Sequence, residues 1–209
     1  MTKLKIFIST LVLLFSAPVW AQTLDTDALA SFPSAVQRDV FEVSSQVKLT
    51  ADQQVLLAKA IEQENDKMIE AIKANDGVLT TKGRNQIAKM RDKSIQSILS
   101  TDQQEQYYRG IYNAAADAAG NALADALQKK YDLTDQNWKF IRVAWYKYNL
   151  DSRVIRKMLA DQPKKADKKC AELKQYWLDT IEAKGGIRVD PDAMTVTVTR
   201  PFDPNALHR

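Results

Sequence analysis

The sequence predicts an all-α protein, an elongated bundle of antiparallel helical hairpins with five to six helices that ends in a short β-hairpin or strand. Two observations predict the helices: apolar residues recur at helical spacing along most of the chain, and Ser or Thr residues suited to N-capping precede the periodic stretches. A third confines β structure to the tail. There Thr195, Thr197 and Thr199 alternate with Val196 and Val198, after the turn-forming Asp190-Pro191-Asp192.

The chain opens with MTKLKIFISTLVLLFSAPVWAQ, in which Lys3 and Lys5 precede an apolar run from Ile6 to Phe15 and small residues lead to Ala21. This is the pattern of a secretory signal cleaved after Ala21. A membrane anchor needs about 18 or more uninterrupted apolar residues, so no stable membrane insertion is expected. Residues 1–21 are therefore read as a signal peptide, 22–186 as a helical domain and 187–209 as a β-like tail, in a protein exported to the periplasm.

The first helix of the domain is expected from about Pro33-Ser34 to Val47. In the next two segments Leu57, Ile61, Met68 and Ile72, then Ile87, Met90, Ser94 and Ile98, recur at helical spacing, with Asn75-Asp76-Gly77 as the turn between them. The following segment, GIYNAAADAAGNALADALQKK, sorts into rows at every fourth residue. Gly110-Ala114-Ala118-Ala122-Ala126 is small, Ile111-Ala115-Ala119-Leu123-Leu127 is apolar, and Asn113-Asp117-Asn121-Asp125 is polar. Such a helix has a thin buried face and can approach a neighbour closely. A second hairpin is expected from Thr134 to about Ala160 and from Pro163, a residue suited to a first helical turn, to about Lys184, where Gly185-Gly186 ends it.

Two of these helices start on the same word. Leu49-Thr50-Ala51-Asp52-Gln53 and Leu99-Ser100-Thr101-Asp102-Gln103 each spell a capping box, in which the hydroxyl accepts from the backbone N–H of the Gln and the Gln side chain reaches back. Asp52 and Asp102 add negative charge where the helix dipole favours it. Leu133-Thr134-Asp135-Gln136-Asn137 keeps the cap but has Asn at the reciprocal position, so its box is weaker. Leu133 and Trp138 are placed to act as a hydrophobic staple.

Catalytic chemistry finds no footing. The chain has one His, His208 near the end, and one Cys, Cys170, which removes Cys-His nucleophilic pairs and the usual zinc sets. No glycine-rich phosphate loop is present. Glu62, Asp66 and Glu70 form a carboxylate row among Lys59, Lys67 and Lys73 and are read as a solvated face. Cys170 has no partner for an intrachain disulfide and is expected buried on a helix. No enzymatic activity, cofactor or metal is expected.

Charge is uneven. Residues 138–175 carry eleven Lys or Arg against four Asp or Glu, whereas residues 22–137 carry thirteen against seventeen. Within the basic stretch Trp138, Ile141, Trp145 and Tyr148 fall on one helical face. The candidate partner-binding residues are Trp138, Arg142, Trp145, Tyr148, Arg153 and Arg156, an apolar and basic combination suited to acidic or partly folded proteins. Outside the cytosol such a segment points away from nucleic acid.

The Leu-Thr-x-x-Gln word resembles the signature of the Spy/CpxP family of periplasmic proteins. Leu49, Thr50 and Gln53 match it in full, and Leu99, Ser100 and Gln103 match with Ser for Thr, while Leu133-Thr134-Asp135-Gln136 carries its Gln one position early. The resemblance implies an envelope-stress protein: a helical, often dimeric cradle that holds unfolded clients without ATP, or a relative that senses metal or restrains a signalling kinase. A homodimer and unfolded or envelope proteins are the partners it implies. Two readings follow, an ATP-independent holdase and a non-enzymatic structural or interaction module of the envelope that binds one specific protein.

Overall fold

The computed structural model describes residues 24–199. The expected signal segment and His208 lie outside the described residues. Seven helices and two strands follow one another: α1 Thr26–Leu29, α2 Ser34–Ser44, α3 Ala51–Lys73, α4 Thr81–Ile98, α5 Thr101–Tyr131, α6 Asp135–Met158, α7 Pro163–Gly185, β1 Ile187–Asp190 and β2 Thr195–Val198. The architecture is the expected helical bundle with a short C-terminal hairpin. The additional helix is α1, whose four residues are too few to show a period.

The helix starts are set by the predicted caps. Thr50 and Ser100 make complete capping boxes at α3 and α5, and Thr80, which the sequence reading did not single out, also caps α4 through the Gly83 N–H. Thr134 accepts from the Asn137 N–H at 3.2 Å, but Asn137 does not reach back, and its side-chain oxygen is buried without a partner. At the far end of α7, Gly186 takes φ +65° and its N–H bonds the Glu182 carbonyl, a left-handed cap that a residue with a Cβ adopts only under strain.

Two apolar cores form, and the long α5 and α6 run through both. The first gathers Leu29, Val36, Val40, Leu57, Ile61, Ile95, Tyr107 and Tyr108 with Val154 near the end of α6. The second gathers Leu123, Ala124 and Leu127 of α5, Ile141 and Ala144 of α6, Ile181 of α7 and Ile187 and Val189 of β1, with Leu133 and the half-buried Trp138 in the same cluster. The strands pair antiparallel in the register Ile187↔Val198 to Asp190↔Thr195. The outward Arg188 and Asp190 alternate with buried Ile187 and Val189.

The small-residue row of α5 does not make the close contact expected of it, since Ala114, Ala118, Ala122 and Ala126 are exposed. The row that packs is Ala116, Gly120 and Ala124. At Gly120 an added Cβ would lie 2.7 Å from the Arg142 carbonyl oxygen and 3.1 Å from both Tyr146 N and Tyr146 Cβ, so the backbones of α5 and α6 approach closely and only glycine fits. On α4 the buried apolar residue is Ile95, with Ile87, Met90 and Ile98 only half-buried.

Candidate functional site

The polar row of α5 is a seam that ties it to α6. Tyr146 donates its hydroxyl to Asn113 Oδ1 at 2.6 Å, Arg142 reaches Asp117 at 2.6 Å and Asn121 at 2.5 Å, and Trp138 Nε1 donates to Asp125 at 2.8 Å. Arg109 continues the line to Asp151 at 2.7 Å. Both helices present a polar side chain about every turn along the edge of their contact, and antiparallel packing brings the two rows into register.

This seam decides where the six candidate binding residues stand. Trp138 and Arg142 belong to it, and the Arg142 guanidinium also lies 5.9 Å from the Trp138 ring. Trp145 and Tyr148 form a ring pair 4.8 Å apart, and Lys174 of α7 sits 6.0 Å from the Trp145 ring. Arg153 lies 5.9 Å from the Tyr112 ring of α5, and Arg156 is ion-paired with Asp167 of α7. The six residues are thus divided between two neighbours: Trp138, Arg142 and Arg153 face α5, Trp145 and Arg156 meet α7, and Tyr148 packs on Trp145. Other cations of the basic stretch are engaged too: Lys157 bonds Asp92 at 2.6 Å and Lys147 lies 5.3 Å from the Trp177 ring. Among the described residues Lys139, Lys164 and Lys169 have no ion-pair partner.

The repeated words meet in space. Gln53 Nε2 donates to Gln103 Oε1 at 2.8 Å and Gln103 Nε2 donates to Gln53 Oε1 at 3.0 Å. Each amide also donates to the carbonyl that precedes the other word, Gln53 to Ile98 and Gln103 to Lys48. With the backbone bonds to Thr50 and Ser100, both side chains use two N–H groups and accept two bonds. Leu49 and Leu99 are buried in the first core beside this pair. The words are therefore helix starts and a lock between α3 and α5.

Sequence reasoning missed two features. Glu64 is 2 % exposed and holds Arg91 of α4, with Ser94 Oγ at 3.3 Å, inside a carboxylate-rich helix that reads as a solvated face. Its place between Ile61 and Met68 in the apolar period is the one signal that could have singled it out. Arg91 also borders a cleft of about 370 Å³ between α2, α4 and α5, to which Asp39, Glu42 and Tyr107 contribute. Burial pushes the Tyr107 phenol up. Cys170 is buried as expected, its Sγ 3.6 Å from the Ser152 carbonyl oxygen, and burial raises its pKa, which keeps it a poorly nucleophilic thiol.

No helix among the described residues is long and apolar enough to cross a membrane. Set against family models, curated proteins and solved structures, the chain matches none.

Proposed function

We propose that the protein is a non-enzymatic interaction module of the cell envelope that binds a specific protein partner by adding an extended segment of it to β2. One observation carries this reading. Among the described residues the sheet has two strands and none pairs with the outer side of β2, and Val198 is 72 % exposed although it shares a face of the hairpin with buried Ile187. Open strand edges offer backbone hydrogen bonds to an incoming chain, and an uncovered apolar side chain adds selectivity. The export expected from residues 1–21 supports an envelope setting for such a module.

The alternative reading, an ATP-independent holdase like the Spy/CpxP proteins that the capped words resemble, is favoured by the far end of the α3–α4 hairpin. There Ile69 and Val78 are exposed beside half-buried Met68, Ile72 and Leu79. Against it, five of the six basic and aromatic residues expected to capture clients are engaged by α5 or α7, and holding a client would require those contacts to break. An aggregation assay separates the two. The purified protein at several-fold excess is expected to leave a panel of unrelated unfolding proteins unprotected; protection of most of the panel would overturn the partner-specific reading in favour of the holdase. Val198→Lys should abolish cross-linking to the envelope partner with the helical circular dichroism intact, whereas Val143→Lys on α6 should leave it unchanged.

A further inference from the structure

One side of the α6–α7 pair combines apolar and aromatic side chains with lysines, and neither the α5–α6 seam nor the β2 edge uses it. On α6, Lys139, Val143 and Lys147 follow one another at every fourth residue and all are exposed, Val143 at 42 %. Lys147 lies 5.3 Å from the Trp177 ring of α7, and the Tyr176 ring is 5.1 Å from that of Trp177. Phe140 stands against Gly185, where an added Cβ would be 3.6 Å from its ring. The two antiparallel helices are thus joined side by side from the Lys147–Trp177 contact to the Phe140–Gly185 contact. Tyr176 is 49 % exposed. Trp177 is half-buried and its Nε1 is buried, so what its side chain shows to solvent is carbon.

The charge beside these rings is mostly of one sign. Lys139 and Lys147 have no ion-pair partner among the described residues, nor have Lys169 and Lys184, which stand about two turns before and after Trp177 and so on its side of α7. The neighbouring carboxylates are turned elsewhere, Asp151 to Arg109, Glu172 to Lys168, Asp179 to Gln175 and Glu182 to Arg188. Asp135, one turn before Lys139, stays beside them, so four lysines less one carboxylate leave three positive charges. Such a surface attracts an anionic one. Two anionic partners fit the charge, a polypeptide or lipid headgroups, and the side chains favour lipid. None of them lines the clefts at α7–β1 or at α2, α4 and α5, so they form a row along two parallel cylinders and not a recess for a peptide. Aromatic rings with lysines beside them match the boundary of a bilayer, where the rings enter the headgroup level and the lysine stems carry their charge to the phosphates.

We propose that this face of α6 and α7 docks on the surface of an anionic lipid bilayer, with Val143, Tyr176 and Trp177 at the headgroup boundary and the lysines on the phosphates. The test is vesicle flotation of residues 22–209, which contain both cores and lack the apolar run Ile6 to Phe15 that would bind lipid by itself. Phosphatidylglycerol vesicles are expected to carry the protein with them and phosphatidylcholine vesicles to leave it behind. Lys139→Glu with Lys147→Glu should weaken binding by at least about twentyfold, since each lysine at such a surface contributes about fivefold. Lys82→Glu with Lys89→Glu, the same change in net charge at exposed positions of α4, should weaken it by less than about threefold. Val143→Ser with Tyr176→Ser, which leaves the charge unchanged, should weaken it about threefold to tenfold. The proposal is overturned by an absence of flotation with phosphatidylglycerol, by an equal loss in the α4 variant, or by full binding in Val143→Ser with Tyr176→Ser. Release from the vesicles by polyglutamate of matched charge would overturn it too, and would assign the face to an acidic polypeptide. None of these variants alters β2, so the partner-binding reading stands or falls separately.

Discussion

The α5–α6 pair and the α3–α4 pair are both antiparallel helical hairpins, yet they are held together differently. Along α5–α6, buried small residues let the helices close on each other at Gly120, a polar seam runs from Asn113 to Asp125, and α6 places Ile141 in one core and Val154 in the other. In α3–α4 the buried apolar residues Leu57, Ala58, Ile61 and Ile95 lie at the open end. No residue from Asn65 to Lys73 is buried, and none from Arg84 to Ser94. The connectivity of a hairpin is therefore no measure of how firmly it is packed. A pair is rigid over the length at which a third element or a close backbone approach covers it, and it is soft beyond.

That contrast is sharpest for one residue type in two places. Ile141→Ala, at a fully buried site on α6, should cost about 2–5 kcal/mol, whereas Ile69→Ala on the far part of α3 should cost under about 0.5 kcal/mol in denaturant unfolding. Equal costs would show that the far part of α3–α4 is covered. Next in size, Gly120→Ala should cost about 1–3 kcal/mol, because the new methyl meets the Arg142 carbonyl at 2.7 Å and overpacking outweighs the helix propensity of Ala. Gly83→Ala on α4 meets the movable end of Leu79 at 3.0 Å, with Ala71 and Thr80 at an ordinary 3.6 Å, and should change stability by less than about 0.5 kcal/mol.

The joint between the two pairs is the Gln53–Gln103 lock. In an isolated capping box Glu serves as well as Gln, but Gln53→Glu removes the donors to Ile98 and Gln103 and sets a carboxylate against Gln103 Oε1. A loss of about 1–3 kcal/mol is expected, and an unchanged unfolding midpoint would reduce the word to two independent caps. The smallest effect concerns the first core. Burial raises the pKa of Tyr107, Tyr108 and Tyr112. A phenol whose folded-state value lies above its unfolded one supports the fold fully below about pH 10 and loses that support as pH rises through the folded-state value. Alkaline unfolding should thus begin in the first core. Tyr108→Phe, which removes a buried hydroxyl without a partner, should be neutral or stabilising by up to about 1 kcal/mol and should flatten the alkaline slope. Greater alkaline sensitivity in this variant would show that the hydroxyl has a partner.

Much of the fold was legible because its signals are local. Thr50, Ser100 and Thr134 start helices through bonds to residues three positions on. The Thr-Val alternation after Asp190 announced the hairpin, the apolar period placed α3 and α6, and Pro163 with Gly185-Gly186 bracketed α7. The candidate site was legible only as a composition: Trp138, Arg142, Trp145, Tyr148, Arg153 and Arg156 share a basic helix, but what each one faces depends on the helices laid against it. The Asn113 to Asp125 row carried the missing signal, a polar stripe at the same spacing as Trp138, Arg142 and Tyr146.

The sequence by itself determined where most helices begin and end, since caps, turns and periodicity act within a few residues along the chain. Only the tertiary structure decided which row of α5 packs, which partner each cation takes, that Gln53 and Gln103 meet across 50 residues, and that Tyr107 opens on a cleft bordered by Asp39 and Arg91. Those outcomes depend on the rotation and register of one helix against another. A single turn of slippage exchanges the partners of every side chain on a face while leaving the local signals unchanged.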